Sequence, residues 1–206
     1  MKKILSISMI ALMAFSLSSC NWFKKEKKDN NKQEITIESL VSEDTKYMVE
    51  KYDTAFVYYE TEIVLNEFLD EECDDSFESV VNVFQTFTDN DTTQKPTVFR
   101  FIHIGDSSRI EEETGYWLED IALRDGDIAV TFKDAYQKIT EVNFPKPHAK
   151  TCTLRKEVGP CPSNAQYIFG NVYSQLYVDA ITGDVLENSP AFDCNKTETE
   201  EVVPLQ

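Results

Sequence analysis

Apolar positions along the chain follow two different periods. From Asp53 to Leu65, Ala55, Val57, Tyr59, Ile63 and Leu65 stand at alternating sites among β-formers, which predicts a strand. The stretch before it, Ile35 to about Glu50, shows no single period. Asp74 and Asp75 then offer N-caps to Phe77, Val80, Val81, Phe84 and Phe87, whose three- and four-residue spacings predict a half-buried helix. Asp89-Asn90-Asp91-Thr92 breaks that run, and Thr97 to Ile104 reads as the strongest strand. Tyr116 to Leu123 adds another, turned by Asp125-Gly126-Asp127. A second helix starts at the cap Thr131, with Asp134 three residues on and Phe132, Ala135, Tyr136, Ile139 and Val142 on its apolar face, and ends at Pro145 and Pro147. Strands follow at Thr151 to Val158, Gln166 to Phe169, Ser174 to Asp179 and Asp184 to Leu186, and from Asp193 the tail is acidic and aperiodic. Each half thus carries one helix and several strands. The order predicts an α+β protein with helices packed on antiparallel sheets, and it leaves open that the N-terminal half is a diverged copy of the C-terminal one.

The first twenty residues belong to a different grammar. Lys2 and Lys3 precede an apolar stretch from Ile4 to Leu17, punctuated by Ser6, Ser8 and Ser16 and too short for a comfortable membrane span. Leu17-Ser18-Ser19-Cys20 resembles the bacterial lipobox, which implies export, cleavage before Cys20 and lipid (palmitate included) on that thiol. Asn21-Trp22-Phe23 and the lysines Lys24, Lys25, Lys27, Lys28 and Lys32 then read as a tether near a lipid surface. The expected organisation is a signal peptide over 1–19, a lipid-anchored tether over 20–36, an N-terminal region over 37–127, a second region over 128–190 and an acidic tail over 191–206. Asn21 rather than Asp after the cysteine favours the outer membrane, facing the periplasm, by analogy with lipoprotein sorting in enteric bacteria.

Charge and cysteines narrow the class. The whole chain has 20 basic and 37 acidic residues; loss of Lys2 and Lys3 with the signal peptide takes the formal charge from −17 to −19, which argues against nucleic acid as a partner. With Cys20 lipidated, Cys73, Cys152, Cys161 and Cys194 remain, an even number that points to two disulfides in an oxidising envelope. Three pairings are open. Proximity in sequence puts Cys152 with Cys161 first, leaving Cys73 with Cys194. A zinc site of His148, Cys152, Cys161 and one more cysteine is the rival, but no CxxC knuckle is present, so no metal or cofactor is expected.

The segment Tyr177-Val178-Asp179-Ala180-Ile181-Thr182-Gly183-Asp184-Val185-Leu186 resembles the closing hairpin of PepSY domains, and Val130-Thr131-Phe132-Lys133-Asp134-Ala135 resembles the start of their helix. The resemblance covers about Ile128 to Leu186; the Pro145-Lys146-Pro147-His148 break and the cysteine pair depart from it. It implies a noncatalytic envelope module that binds or restrains peptidases. Turn chemistry alone also accounts for the motif: Asp179 accepts backbone hydrogen bonds across the turn while Gly183 takes positive φ.

Catalytic options are few. His103, on the strand face of Phe99 and Phe101, reads as a structural histidine, and the nearby Gly105-Asp106-Ser107 lacks the GxSxG elbow and reads as the start of a polar loop. Asp89-Asn90-Asp91 lacks the Gly and distal Glu of a calcium loop. Glu60 to Glu78 holds nine acidic residues and no basic one, a solvated face by default, whereas Lys133 to Lys156 is locally basic. Lys146, His148, Lys150, Arg155 and Lys156 form the candidate partner surface, with intramolecular balance against the acidic run as the competing account. Two modes of peptidase restraint are open: an edge strand pairing with an extended peptide, or a loop closed between Cys152 and Cys161 that presents Arg155 and Lys156 to a protease cleft. The alternatives from other classes are a lipid-anchored envelope hydrolase using His103 near Ser107 and an assembly lipoprotein whose acidic surface holds cations or a basic partner.

Overall fold

A computed structural model describes residues 35–66, 75–87, 95–117 and 120–194. In these residues α1 (Ile37–Tyr52) is followed by β1 (Phe56–Leu65), β2 (Phe77–Thr86), β3 (Thr97–Ile104), β4 (Ser107–Thr114) and β5 (Asp120–Ile121), then by α2 (Phe132–Glu141), β6 (Thr151–Glu157), β7 (Gln166–Asn171), β8 (Ser174–Asp179) and β9 (Val185–Leu186). The strands form one antiparallel sheet in the order β4-β3-β2-β1-β6-β7-β8-β9, with β5 paired to β6 off that path. The expected α+β arrangement with separate sheets is therefore corrected: the described protein is largely β, one nine-stranded sheet with two short helices. The centre of that sheet joins the two halves, since β1 pairs with β2 on one side and β6 on the other.

The largest local correction falls on Phe77–Thr86, which is a strand and not a helix. β2 lies inside the sheet between β1 and β3, and Asn82, Val83, Phe84, Gln85 and Thr86 are all buried, so both faces are covered and the two-residue alternation disappears from the sequence. What remains is a set of apolar residues whose spacing mimics a helix, although three valines and two phenylalanines are strand-formers. The helix of the N-terminal half lies instead in the stretch that showed no single period. Thr36 caps α1 in a reciprocal capping box with Ser39, and Ile37, Leu40, Asp44 and Met48 form its buried stripe.

Register organises the core in rows. Val80, Ile63, Cys152, Phe169 and Leu176 lie opposite one another across β2, β1, β6, β7 and β8, and Asn82, Thr61, Leu154, Tyr167 and Val178 form the next row. Ile37 and Leu40 of α1 and Phe132, Ala135, Tyr136 and Ile139 of α2 share one core with these strands. A second cluster of Met48, Phe84, Phe99 and Phe101 sits under the far part of α1. α2 begins where expected: Thr131 accepts from the Asp134 amide, and Glu38 of α1 accepts the Phe132 amide at 2.7 Å, joining the two helices at their first turns.

Candidate functional site

The antiparallel register brings one set of strand ends together: the close of β1 at Leu65, the start of β2 at Phe77, the β3–β4 turn at Gly105 and the start of β6 at Thr151. At that end a cleft of about 420 Å³ is lined by Ile35, Leu40, Glu43, Phe77, His103 and the Gly105–Ser108 turn. His103 is at its base. Its Nε2 lies 2.9 Å from Asp44 Oδ2, and both side chains are largely buried.

Behind Asp44 runs a chain of donors. Asn82 Nδ2 donates to the same carboxylate oxygen at 2.6 Å, the Thr61 hydroxyl donates to Asn82 Oδ1, and the Tyr58 hydroxyl hydrogen-bonds to Thr61. Because the Thr61 proton is used toward Asn82, Tyr58 must donate, so the network points inward-to-outward at Asp44. Burial pushes the Tyr58 phenol well above its usual range and keeps it neutral. Asp44 Oδ2 is thus met from two sides, by His103 Nε2 and by Asn82 Nδ2. Ser108 is the residue directly across from His103 on β4, a pairing that sets Cβ atoms about 5 Å apart. Among the described residues no hydrogen bond joins His103 to Ser107 or Ser108. The arrangement therefore orients a histidine against a carboxylate, the first half of a general base, without engaging a hydroxyl.

The opposite face of the sheet carries a charged row. Glu60 pairs in register with Arg155, and Arg155 lies 3.6 Å from Asp120 and 2.9 Å from Glu157. Burial, then the neighbouring Asp120 carboxylate, pushes Glu60 up to about 8. Burial opposes the charge on Arg155, but Asp120 and Glu157 outweigh it and hold the guanidinium firmly protonated.

Arg155 and Lys156 therefore do not sit on a closed loop. Both belong to β6, and Lys156 reaches Asp127 at 3.4 Å on its own side. Lys146 caps α2 by donating to the Ile139 carbonyl, Lys150 donates to the Asn66 carbonyl at 2.6 Å, and His148 is exposed between them. Burial lowers the Lys146 amine. Internal partners thus take up much of the basic stretch.

The first-choice cysteine pairing is also corrected. Cys161 is bonded to Cys194, and Cys152 is a free thiol in the core between Ile63 and Phe169. Cys152 and Cys161 flank the rest of β6 and the turn after it, so closeness in sequence did not become closeness of side chains; burial pushes the Cys152 thiol up and leaves it inert. Cys20, Cys73 and the Asp89-Asn90-Asp91 segment lie outside the described residues.

The Asp179 hairpin forms as its chemistry requires. Its carboxylate accepts from the Ile181 and Thr182 amides at 2.8 and 2.9 Å and from Asn164 at 2.9 Å, and Gly183 adopts φ 77°. Burial works against the charge, but the Thr182 amide and its companions outweigh it and hold the carboxyl below the usual range.

Asp44, Asn82, Thr61 and Tyr58 were not singled out by sequence. A signal existed for Asp44: it holds a helix-period position between Leu40 and Met48, where a carboxylate has no place unless paired. No family model, no curated protein and no solved structure matches the chain.

Proposed function

We propose that this chain is a membrane-anchored envelope lipoprotein, held by lipid on Cys20, whose folded part is a noncatalytic PepSY-like module that restrains a peptidase. The observation that carries the binding mode is β4: eight residues, Ser107–Thr114, exposed throughout and forming an edge of the sheet. An edge strand presents a row of backbone donors and acceptors to an extended segment, which is how a sheet takes up a peptide without a pocket. The carboxylates of Glu111, Glu112 and Glu113 on β4 already pair with Arg109, Lys51 and Arg100, so the open backbone of the edge, not its charge, carries the binding mode. The Asp179 carboxylate is committed to its own turn, which supports a structural role for the PepSY-like motif. The loop form of restraint is set aside with the Cys152–Cys161 pairing on which it depended.

A photocrosslinker at Glu111 in the native envelope tests this reading. It predicts an adduct with a peptidase, mapped to an extended segment, and higher activity of that peptidase when the lipoprotein is deleted. Adducts without a peptidase, or an activity indifferent to deletion, would contradict it.

One observation favours a second reading, the envelope hydrolase: His103 is oriented by Asp44 and opens on the cleft beside Ser107 and Ser108. It predicts labelling of Ser107 or Ser108 by a fluorophosphonate probe that His103→Ala abolishes. No labelling of the wild type removes this alternative.

A further inference from the structure

The β7–β8 hairpin ends in Asn171-Val172-Tyr173-Ser174, and its two central side chains are the most exposed large apolar residues described, Val172 at 83% and Tyr173 at 92%. The tip is firmly shaped. Gly170 has φ 108°, a position with no room for a Cβ against Ser174 and Pro147, and Asn171 Oδ1 accepts the Tyr173 amide at 3.0 Å. A tip shaped this closely holds the Tyr173 ring out in water.

Register places this tip. Thr151 lies opposite Val64, and Cys152 lies opposite Phe169, so the β7–β8 turn projects from the same end of the sheet as the β3–β4 turn and the cleft that Ile35 lines. Ile35 is where the described fold meets the tether. Fourteen residues lie between it and Cys20, a reach of at most about 54 Å. The segment that leads to the lipid and the exposed tip therefore leave the fold at one end.

We infer that Val172 and Tyr173 rest in the interface of the bilayer that holds the lipid on Cys20, fixing which end of the sheet faces the membrane. The inference relies on the lipoprotein reading above. Tyrosine suits that zone, with an apolar ring and a hydroxyl that stays in the headgroup layer. Two side chains bind too weakly to anchor a chain of such negative charge, so the tip orients a protein that lipid already holds. Zwitterionic membranes are the favourable surface, because the acidic domain is repelled by anionic ones. Phe87 and Tyr116, at the opposite strand ends, are then turned away from the lipid.

Lactoperoxidase iodination tests the geometry on the native side chains, since the enzyme is too bulky to reach a tyrosine pressed against lipid. Mature protein is reconstituted in phosphatidylcholine vesicles, and labelled tyrosines are mapped by peptide mass; a chain that begins at Asn21, carrying neither lipid nor the apolar Ile4 to Leu17 segment, is mixed with the same vesicles as the reference. Tyr173 labelling is expected to fall at least fivefold in the anchored protein while Tyr116 stays within twofold. Anchored protein that floats with the vesicles yet labels equally at Tyr173 overturns the inference alone. Protein that does not float overturns the lipoprotein reading and this inference with it. Protection that persists in the chain beginning at Asn21 and grows with its concentration assigns the tip to a second copy, and so overturns the membrane assignment.

Discussion

Glu60 sits 2% exposed beside Asp120, and its carboxyl titrates near 8 in the folded protein against an ordinary value of 4.5. Between those values the folded state holds a proton that the unfolded chain releases, so the contribution of Glu60 is full below pH 4.5 and is lost as pH rises toward 8. Glu60→Gln is therefore expected to flatten the fall of the urea midpoint between pH 5 and pH 8.5; an unchanged slope would show that Glu60 is ionised throughout. Asp44 poses the reverse problem. Both His103 and Asn82 direct donors at its buried carboxylate, so Asp44→Ala strands two polar groups and should cost about 3 kcal/mol in chemical denaturation. Leu40→Ala, on the same helix stripe, removes only apolar contact; coupling of Asp44→Ala with Asn82→Ala in a double-mutant cycle, absent when Leu40→Ala is paired with Asn82→Ala, separates the network from simple packing.

Elements with uniform surroundings were legible in the sequence. α2 announced itself through Thr131, its apolar stripe and the prolines after it, and β8 follows its expected bounds because its ends are set by turns at Ser174 and Asp179. β2 was not legible, since burial on both faces erases alternation, and Asp44 was missed because its partners come from strands distant in the chain. The disulfide shows the same limit: Cys194 meets Cys161 only because the segment after β9 folds back, with the Cys161 amide bonding the Ala191 carbonyl and Gly159 leaving no space beside Ala191. Closing that 33-residue separation restricts the unfolded chain by about 3.7 kcal/mol on a loop-entropy estimate. Dithiothreitol should lower the unfolding free energy by about 2–4 kcal/mol, whereas Cys152→Ala should leave the native maleimide labelling unchanged; loss of label in that variant would place Cys152 at the surface. Gly170→Ala forces a Cβ to 2.1 Å from the Ser174 carbonyl oxygen at positive φ and is expected to destabilise by roughly 2 kcal/mol or more, read as a drop in the denaturation midpoint.

At the scale of the whole molecule, three features align along one axis: the tether entering at Ile35, the cleft over His103 and the Val172-Tyr173 tip at one end, with the β4 edge running from that end toward the other. On the proposed reading, this layout would set the acidic sheet with that end toward the membrane and leave the β4 edge open beside it. Among the described residues no helix is long and apolar enough to cross a bilayer. The most direct measurement is the intact mass of the protein purified from its native envelope, followed by sequencing of its N-terminal peptide. The account predicts a chain beginning at Cys20 with diacylglycerol on the thiol, and a Cys20→Ser chain that keeps residues 1–19. An unmodified Cys20, or cleavage at another bond, would contradict it.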